Sequence, residues 1–184
     1  MTPANPADVE KALATAPVQR AIRTWGPVQG EAMHVSGGGR TVLALAHPQR
    51  GILTFVDNSP GALRGGNPVA LSLGHAPTAE HGLRYYTVSG APVTDLAVSG
   101  GHVTVTAVQP SPGEVDPDFN MKTFIFCFTA CVAEKNIQPA CLQNCATCGR
   151  DLVSGAIMAS LVPCGACAAC AGRHGISCAK QCAG

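Results

Sequence analysis

The sequence predicts an α+β protein, with a helix and a small antiparallel β-sheet forming an N-terminal domain ahead of a disulfide-rich α-helical C-terminal segment. Three observations predict it. Helical apolar spacing is confined to the first two dozen residues of the N-terminal part; residues 32 to 109 then break into short apolar runs separated by turn residues. All ten cysteines fall in the last 58 residues, with none in the first 126. The expected organisation is an α+β domain over 1–109, a linker over 110–120 and a cysteine-rich helical segment over 121–184.

Charge divides the chain at the same place. Residues 1–120 carry seven Lys/Arg and nine Asp/Glu, net −2, whereas 121–184 carry Lys122, Lys135, Arg150, Arg173 and Lys180 against Glu134 and Asp151, net +3. The whole-chain balance of +1 offers no electrostatic footprint for nucleic acid, so nucleic acid is not an expected partner.

Asn5 caps a helix that starts with Pro6 and carries Asp8 in its first turn; Val9, Leu13, Val18 and Ile22 give it an apolar face. The helix is expected over about 6–24, kinked or split at Pro17. No basic n-region or apolar core marks the N-terminus as a secretory signal. Strands are expected at Ala32–Val35, Thr41–Ala46, Ile52–Val56, Val69–Leu73, Leu83–Val88, Val93–Ala97 and Val103–Val108. The turns between them use Gly37-Gly38-Gly39, Asp57 to Gly61, Ser89 to Pro92 and Ser99-Gly100-Gly101. Pro110 to Asp118 is rich in proline and acid, lacks apolar periodicity, and reads as the linker.

No feature of residues 1–120 spells an active site, and the chain is not expected to be an enzyme. Gly37-Gly38-Gly39 leads into a strand and so reads as a hairpin turn, not as a phosphate-binding loop. His34, His47, His75, His81 and His102 lack metal-type spacing and are assigned to surface and turn positions. Asp95 and His102 have no nucleophile elbow to serve.

The cysteines do carry geometry. Cys127-x3-Cys131 and Cys141-x3-Cys145 are i, i+4 pairs that put both sulfurs on one helix face. A helix stop near Asn136 and a start at Pro139 predict an antiparallel hairpin in which Cys127 pairs with Cys145 and Cys131 with Cys141. Cys148, Cys164, Cys167, Cys170, Cys178 and Cys182 complete the framework with partners left open. A second reading takes Cys145, Cys148, Cys164 and Cys167 as a four-thiolate site for zinc, or copper, since two Cys-x-x-Cys knuckles can present four sulfurs tetrahedrally. Against a zinc ribbon, Leu152, Ala156, Ala159 and Val162 give the stretch Gly149–Pro163 helical spacing. Cys164-x2-Cys167-x2-Cys170 followed by Cys178 departs from the ferredoxin spacing of an iron–sulfur run. Leu152 to Gly172 contains no formal charge and is long enough to cross a bilayer, but Pro163 and three cysteines favour a compact helix and loop.

A cysteine-free N-terminal domain, a linker and an apolar, Gly- and Ala-rich segment with ten cysteines together resemble the bacteriocin precursors of the halocin and fulvocin kind. The resemblance rests on the last sixty residues: the two Cys-x3-Cys pairs, the apolar run Leu152–Pro163, and Cys164, Cys167, Cys170, Cys178 and Cys182. It implies a compact disulfide-rich toxin released from the C-terminal part, and an N-terminal propeptide that can act as immunity protein. The expected partners are then a target-cell membrane, the chain's own N-terminal domain and a processing protease, with secretion after processing and no cofactor. Under the alternative, the chain is a cytosolic thiolate protein holding zinc or copper.

Overall fold

The computed structural model describes residues 2–77, 82–110, 115–116 and 119–183. Eight strands, β1 (Thr2–Pro3), β2 (Met33–Gly37), β3 (Arg40–His47), β4 (Ile52–Asp57), β5 (Ala70–His75), β6 (Leu83–Tyr86), β7 (Pro92–Ser99) and β8 (His102–Ala107), form one antiparallel sheet in chain order. The seven expected strands are all present, and β1 adds to the edge of β2. Two of the connections, β2 to β3 and β7 to β8, are two-residue turns. Gly38-Gly39 (φ 59° and 74°) and Gly100-Gly101 (φ 57° and 78°) supply the two successive positive φ angles that two-residue hairpins with right-handed twist require. Val115–Asp116 and Phe119–Asn120, within the expected linker, pair as two short strands, β9 and β10.

The N-terminal helical stretch is two helices, α1 (Pro6–Leu13) and α2 (Ala16–Trp25). Asn5 caps the first by accepting from the Ala7 amide at 2.9 Å. The break falls at Ala14 and Thr15, with Pro17 in the first turn of α2, where a missing N–H costs nothing. Both helices lie on one face of the sheet, where Ala12 and Val18 meet Leu43, Leu45 and Val56.

The opposite face receives the C-terminal segment: α3 (Met121–Glu134), α4 (Pro139–Val153), α5 (Ile157–Cys167), a wide π-type turn over Ala168–Gly172, and α6 (Arg173–Ala183). The sheet is therefore the middle of three layers. This layering explains β4, whose six residues are all buried: Leu53 and Phe55 face the C-terminal helices while Val56 faces α1 and α2. The sheet and the C-terminal helices share one apolar core that runs from Met33 and Val35 through Phe55 and Tyr85 to Phe128, Ile176 and Cys178.

Two expectations change. His47 is not on the surface: it is fully buried at the end of β3, while His34 is half-buried and His75 and His102 are exposed. His81 lies outside the described residues. The helical pattern across Gly149–Pro163 is broken by Gly155 at φ 79°, which ends α4 and lets the chain reverse into α5. Among the described residues no helix is long and apolar enough to cross a membrane.

Candidate functional site: a cross-linked hairpin seated on the sheet

Five disulfides join Cys127 to Cys182, Cys131 to Cys178, Cys141 to Cys170, Cys145 to Cys167 and Cys148 to Cys164. Their Cα separations run from 4.7 to 6.0 Å, within the normal reach of a disulfide. Each pair encloses the next and every one straddles Gly155, so the segment is a single long hairpin laced along its length. The outer two rungs tie α3 to α6, and the inner three tie α4 to α5 and the turn after it.

The nested ladder thus exists, but not between the expected partners: Cys127 does not pair with Cys145, nor Cys131 with Cys141. The stop at Asn136 (φ 51°) and the start at Pro139 are present. They redirect the chain without folding α4 back along α3, which packs instead against α6 and strands β7 and β8. The reversal that brings cysteines together occurs at Gly155. A signal for it stands in the sequence: Cys178-x3-Cys182 repeats the spacing of Cys127-x3-Cys131, and two closely spaced triplets, 141, 145, 148 and 164, 167, 170, lie inside them.

The alternative zinc set, Cys145, Cys148, Cys164 and Cys167, is present as two disulfides, and a sulfur in a disulfide is not a thiolate ligand. Among the described residues, the sulfurs of Cys141, Cys145 and Cys170 lie within 4.8 Å of one another, Cys141 and Cys170 being bonded to each other and Cys145 to Cys167.

The seat of the hairpin on the sheet is close and specific. A Cβ built on Gly172 would stand 2.7 Å from the Phe55 ring, and one on Gly175 would stand 2.8 Å from Tyr85. Only glycine lets the turn and α6 approach so near. The Tyr85 hydroxyl donates to the Ala171 carbonyl of the π-type turn at 2.6 Å. Burial pushes that phenol well above its ordinary pKa, so it stays a donor. Phe128 meets Tyr85 edge to face with centroids 5.1 Å apart. Thr94 and Thr129 share a hydrogen bond of 2.6 Å.

Among the described residues, one ion pair crosses the same interface. Lys180 Nζ donates to Asp57 Oδ2 at 2.7 Å, and the Ser59 hydroxyl donates to Oδ1 at 2.6 Å. Burial alone would raise the Asp57 carboxyl, but the hydrogen bonds from Lys180 and Ser59 outweigh it and hold the group below the usual carboxylate range. Beside this seat, a cleft of about 860 Å³ opens between α4 and strands β4 to β6, lined by Leu53, Leu73, His75, Leu142, Gln143 and Arg150. No protein-family model, curated protein or solved structure matches this chain.

Proposed function

We propose that the chain is the precursor of a membrane-active antibacterial peptide, bacteriocin-like, in which the C-terminal hairpin is the active part and the N-terminal sheet masks it. The observation that carries this reading is a contrast of bonding. All five cross-links lie between Cys127 and Cys182, while among the described residues the hairpin is held to the sheet by apolar contact, a few hydrogen bonds and one ion pair. A single cut by a processing protease in residues 110–118 would leave the hairpin covalently intact with no bond to the sheet.

Once the hairpin is free, Ile125, Phe128, Val132 and Ile176, now buried, would face outward on a unit of net charge +3. Burial of each such side chain is worth about 1.5–3 kcal/mol, so the freed face seeks another apolar phase. An anionic membrane attracts the cations and accepts the face. The action is physical, not catalytic, and uses no cofactor. Five disulfides suit an oxidising location, and the reading places the released hairpin outside the cell.

The test is a full chain carrying a specific protease site within residues 110–118, assayed oxidised on anionic vesicles and on growing bacteria. Cutting is expected to raise leakage and growth inhibition at least about tenfold. Equal inactivity before and after a verified cut would reject the proposal. A second reading, a cytosolic thiolate protein binding zinc or copper, draws on the Cys141, Cys145 and Cys170 cluster, whose sulfurs could serve as ligands if reduced. Stoichiometric metal on protein purified without oxidation would favour it.

A further inference from the structure

We propose that the inner rungs of the hairpin form a thiol–disulfide exchange site, where a low-molecular-weight thiol opens Cys145–Cys167 and the freed Cys145 sulfur then takes Cys170 from Cys141. Two observations meet there. Cys145 and Cys167 line the cleft of about 860 Å³ between α4 and the sheet, whereas Cys141 and Cys170 lie outside its lining. Next to that bond, the sulfurs of Cys141, Cys145 and Cys170 lie within 4.8 Å of one another, so the neighbouring disulfide already has a third sulfur at its side. The exchange needs neither a membrane nor a cut, and it holds or fails apart from the precursor reading above.

The helices create the crowding. Cys141 and Cys145 are one turn apart on α4, and Cys167 and Cys170 are three residues apart where α5 widens into the π-type turn over Ala168–Gly172. Two rungs are thereby stacked one turn apart. Cys148 also lines the cleft, but it is not one of the three gathered sulfurs. Access decides the class of partner. Cys145 is 5% exposed and Cys167 1%, too deep for the surface of a folded oxidoreductase, whereas the cleft has room for a small thiol.

Each step exchanges one sulfur for another. A thiolate RS⁻ attacks Cys167 Sγ; the Cys145–Cys167 bond breaks, a mixed disulfide forms between RS and Cys167, and Cys145 leaves as thiolate. Cys145 then attacks Cys170 Sγ, the Cys141–Cys170 bond breaks, and Cys141 leaves as thiolate. Attack on Cys141 would instead make a bond within α4, where residues four apart hold their Cβ atoms about 5–6 Å apart, beyond the about 3.5–4.5 Å of a disulfide. A second thiolate attacks the RS sulfur on Cys167 and leaves with it as RS–SR, freeing Cys167. Two thiols are thus oxidised to one RS–SR, one protein disulfide is reduced, and the two thiol protons end on Cys141 and Cys167. The product keeps a cross-link, Cys145–Cys170, between α4 and the turn, and the ladder has shifted by one position.

The experiment is limited reduction of the full, folded and oxidised chain with reduced glutathione, followed by acid quenching, alkylation of free thiols and mass mapping of peptides without further reduction. In molecules that have lost one inner disulfide, the label is expected on Cys141 and Cys167, together with a new Cys145–Cys170 linkage. Label on Cys145 and Cys167 with Cys141–Cys170 intact overturns the proposal. So does opening of the half-buried Cys127–Cys182 rung alone, with the inner rungs closed until the chain unfolds. The variant Cys167→Ser tests the second step without added thiol, because Cys145 then lacks its partner from the start. Its free thiol is expected on Cys141, with Cys145 bonded to Cys170, in protein shown to be folded by near-ultraviolet circular dichroism. A free thiol that stays on Cys145 overturns the proposal, and if this variant does not fold, the mapping on the wild type decides alone.

Discussion

A fully buried histidine with both ring nitrogens bonded is committed to one protonation state. His47 Nδ1 lies 2.8 Å from the Gly26 carbonyl, which only accepts, so Nδ1 carries the proton. Nε2 then accepts from the Thr54 hydroxyl at 2.9 Å, Thr54 accepts from Ser72, and Ser72 accepts from the Trp25 indole N–H. The order runs one way, and it pins the end of α2 to the sheet. Protonating Nε2 would force Thr54 to turn. Burial holds the His47 pKa below its ordinary value, against the raising effect of the Gly26 carbonyl. A base whose folded pKa is depressed contributes stability that is whole above the unfolded value of about 6.5 and lost as pH falls below it. His174 acts in the same direction, through burial and the nearby Arg173 and Lys135 charges. The urea midpoint of the wild type should therefore fall between about pH 7 and about pH 5. His47→Gln should cost about 1–3 kcal/mol at neutral pH and flatten that dependence. Equal pH slopes for the two proteins would contradict the assignment.

Among the elements, the closeness of α6 to the sheet is the vulnerable point of the proposed mask. Gly175→Val would place a branched side chain where even a Cβ stands 2.8 Å from Tyr85, and Gly172→Val would do the same against Phe55. Overpacking of this kind costs about 1–3 kcal/mol, and here the easiest relief is for the hairpin to lift. Either variant, with all five disulfides intact by mass, is expected to leak anionic vesicles several-fold more than the wild type without any cut. Leakage equal to that of the wild type, in a variant shown to be destabilised, would separate the seat from the activity.

The same scale shows what was legible in the residues. Strands β2 to β8 could be read because each apolar run ends in turn-forming residues; their order in the sheet, which follows the chain, could not. The second face of the sheet was harder: β4 is apolar on both sides, and that continuity was the trace of a further layer. Cysteine spacing showed which sulfurs share a helix face but not which helices meet, since Cys127-x3-Cys131 matches Cys141-x3-Cys145 and Cys178-x3-Cys182 equally well. The deciding residue was Gly155, hidden in a run whose Leu152, Ala156, Ala159 and Val162 keep helical period across the break. His47 was misplaced for a different reason. Its partners Thr54 and Ser72 come from other strands, so no local pattern announces it.

For the whole molecule, the three layers differ in how they are joined. The N-terminal helices pack on the sheet through the buried Leu43, Leu45 and Val56, whereas the C-terminal layer carries its own cross-links and shares the larger apolar core with the sheet. Whether these halves part as proposed is read from co-sedimentation with anionic vesicles after the chain is cut once within residues 110–118 under oxidising conditions. The ten-cysteine half is expected to pellet with the vesicles while the cysteine-free half stays in the supernatant. Both halves in the pellet in equal amounts, or both in solution, would contradict it.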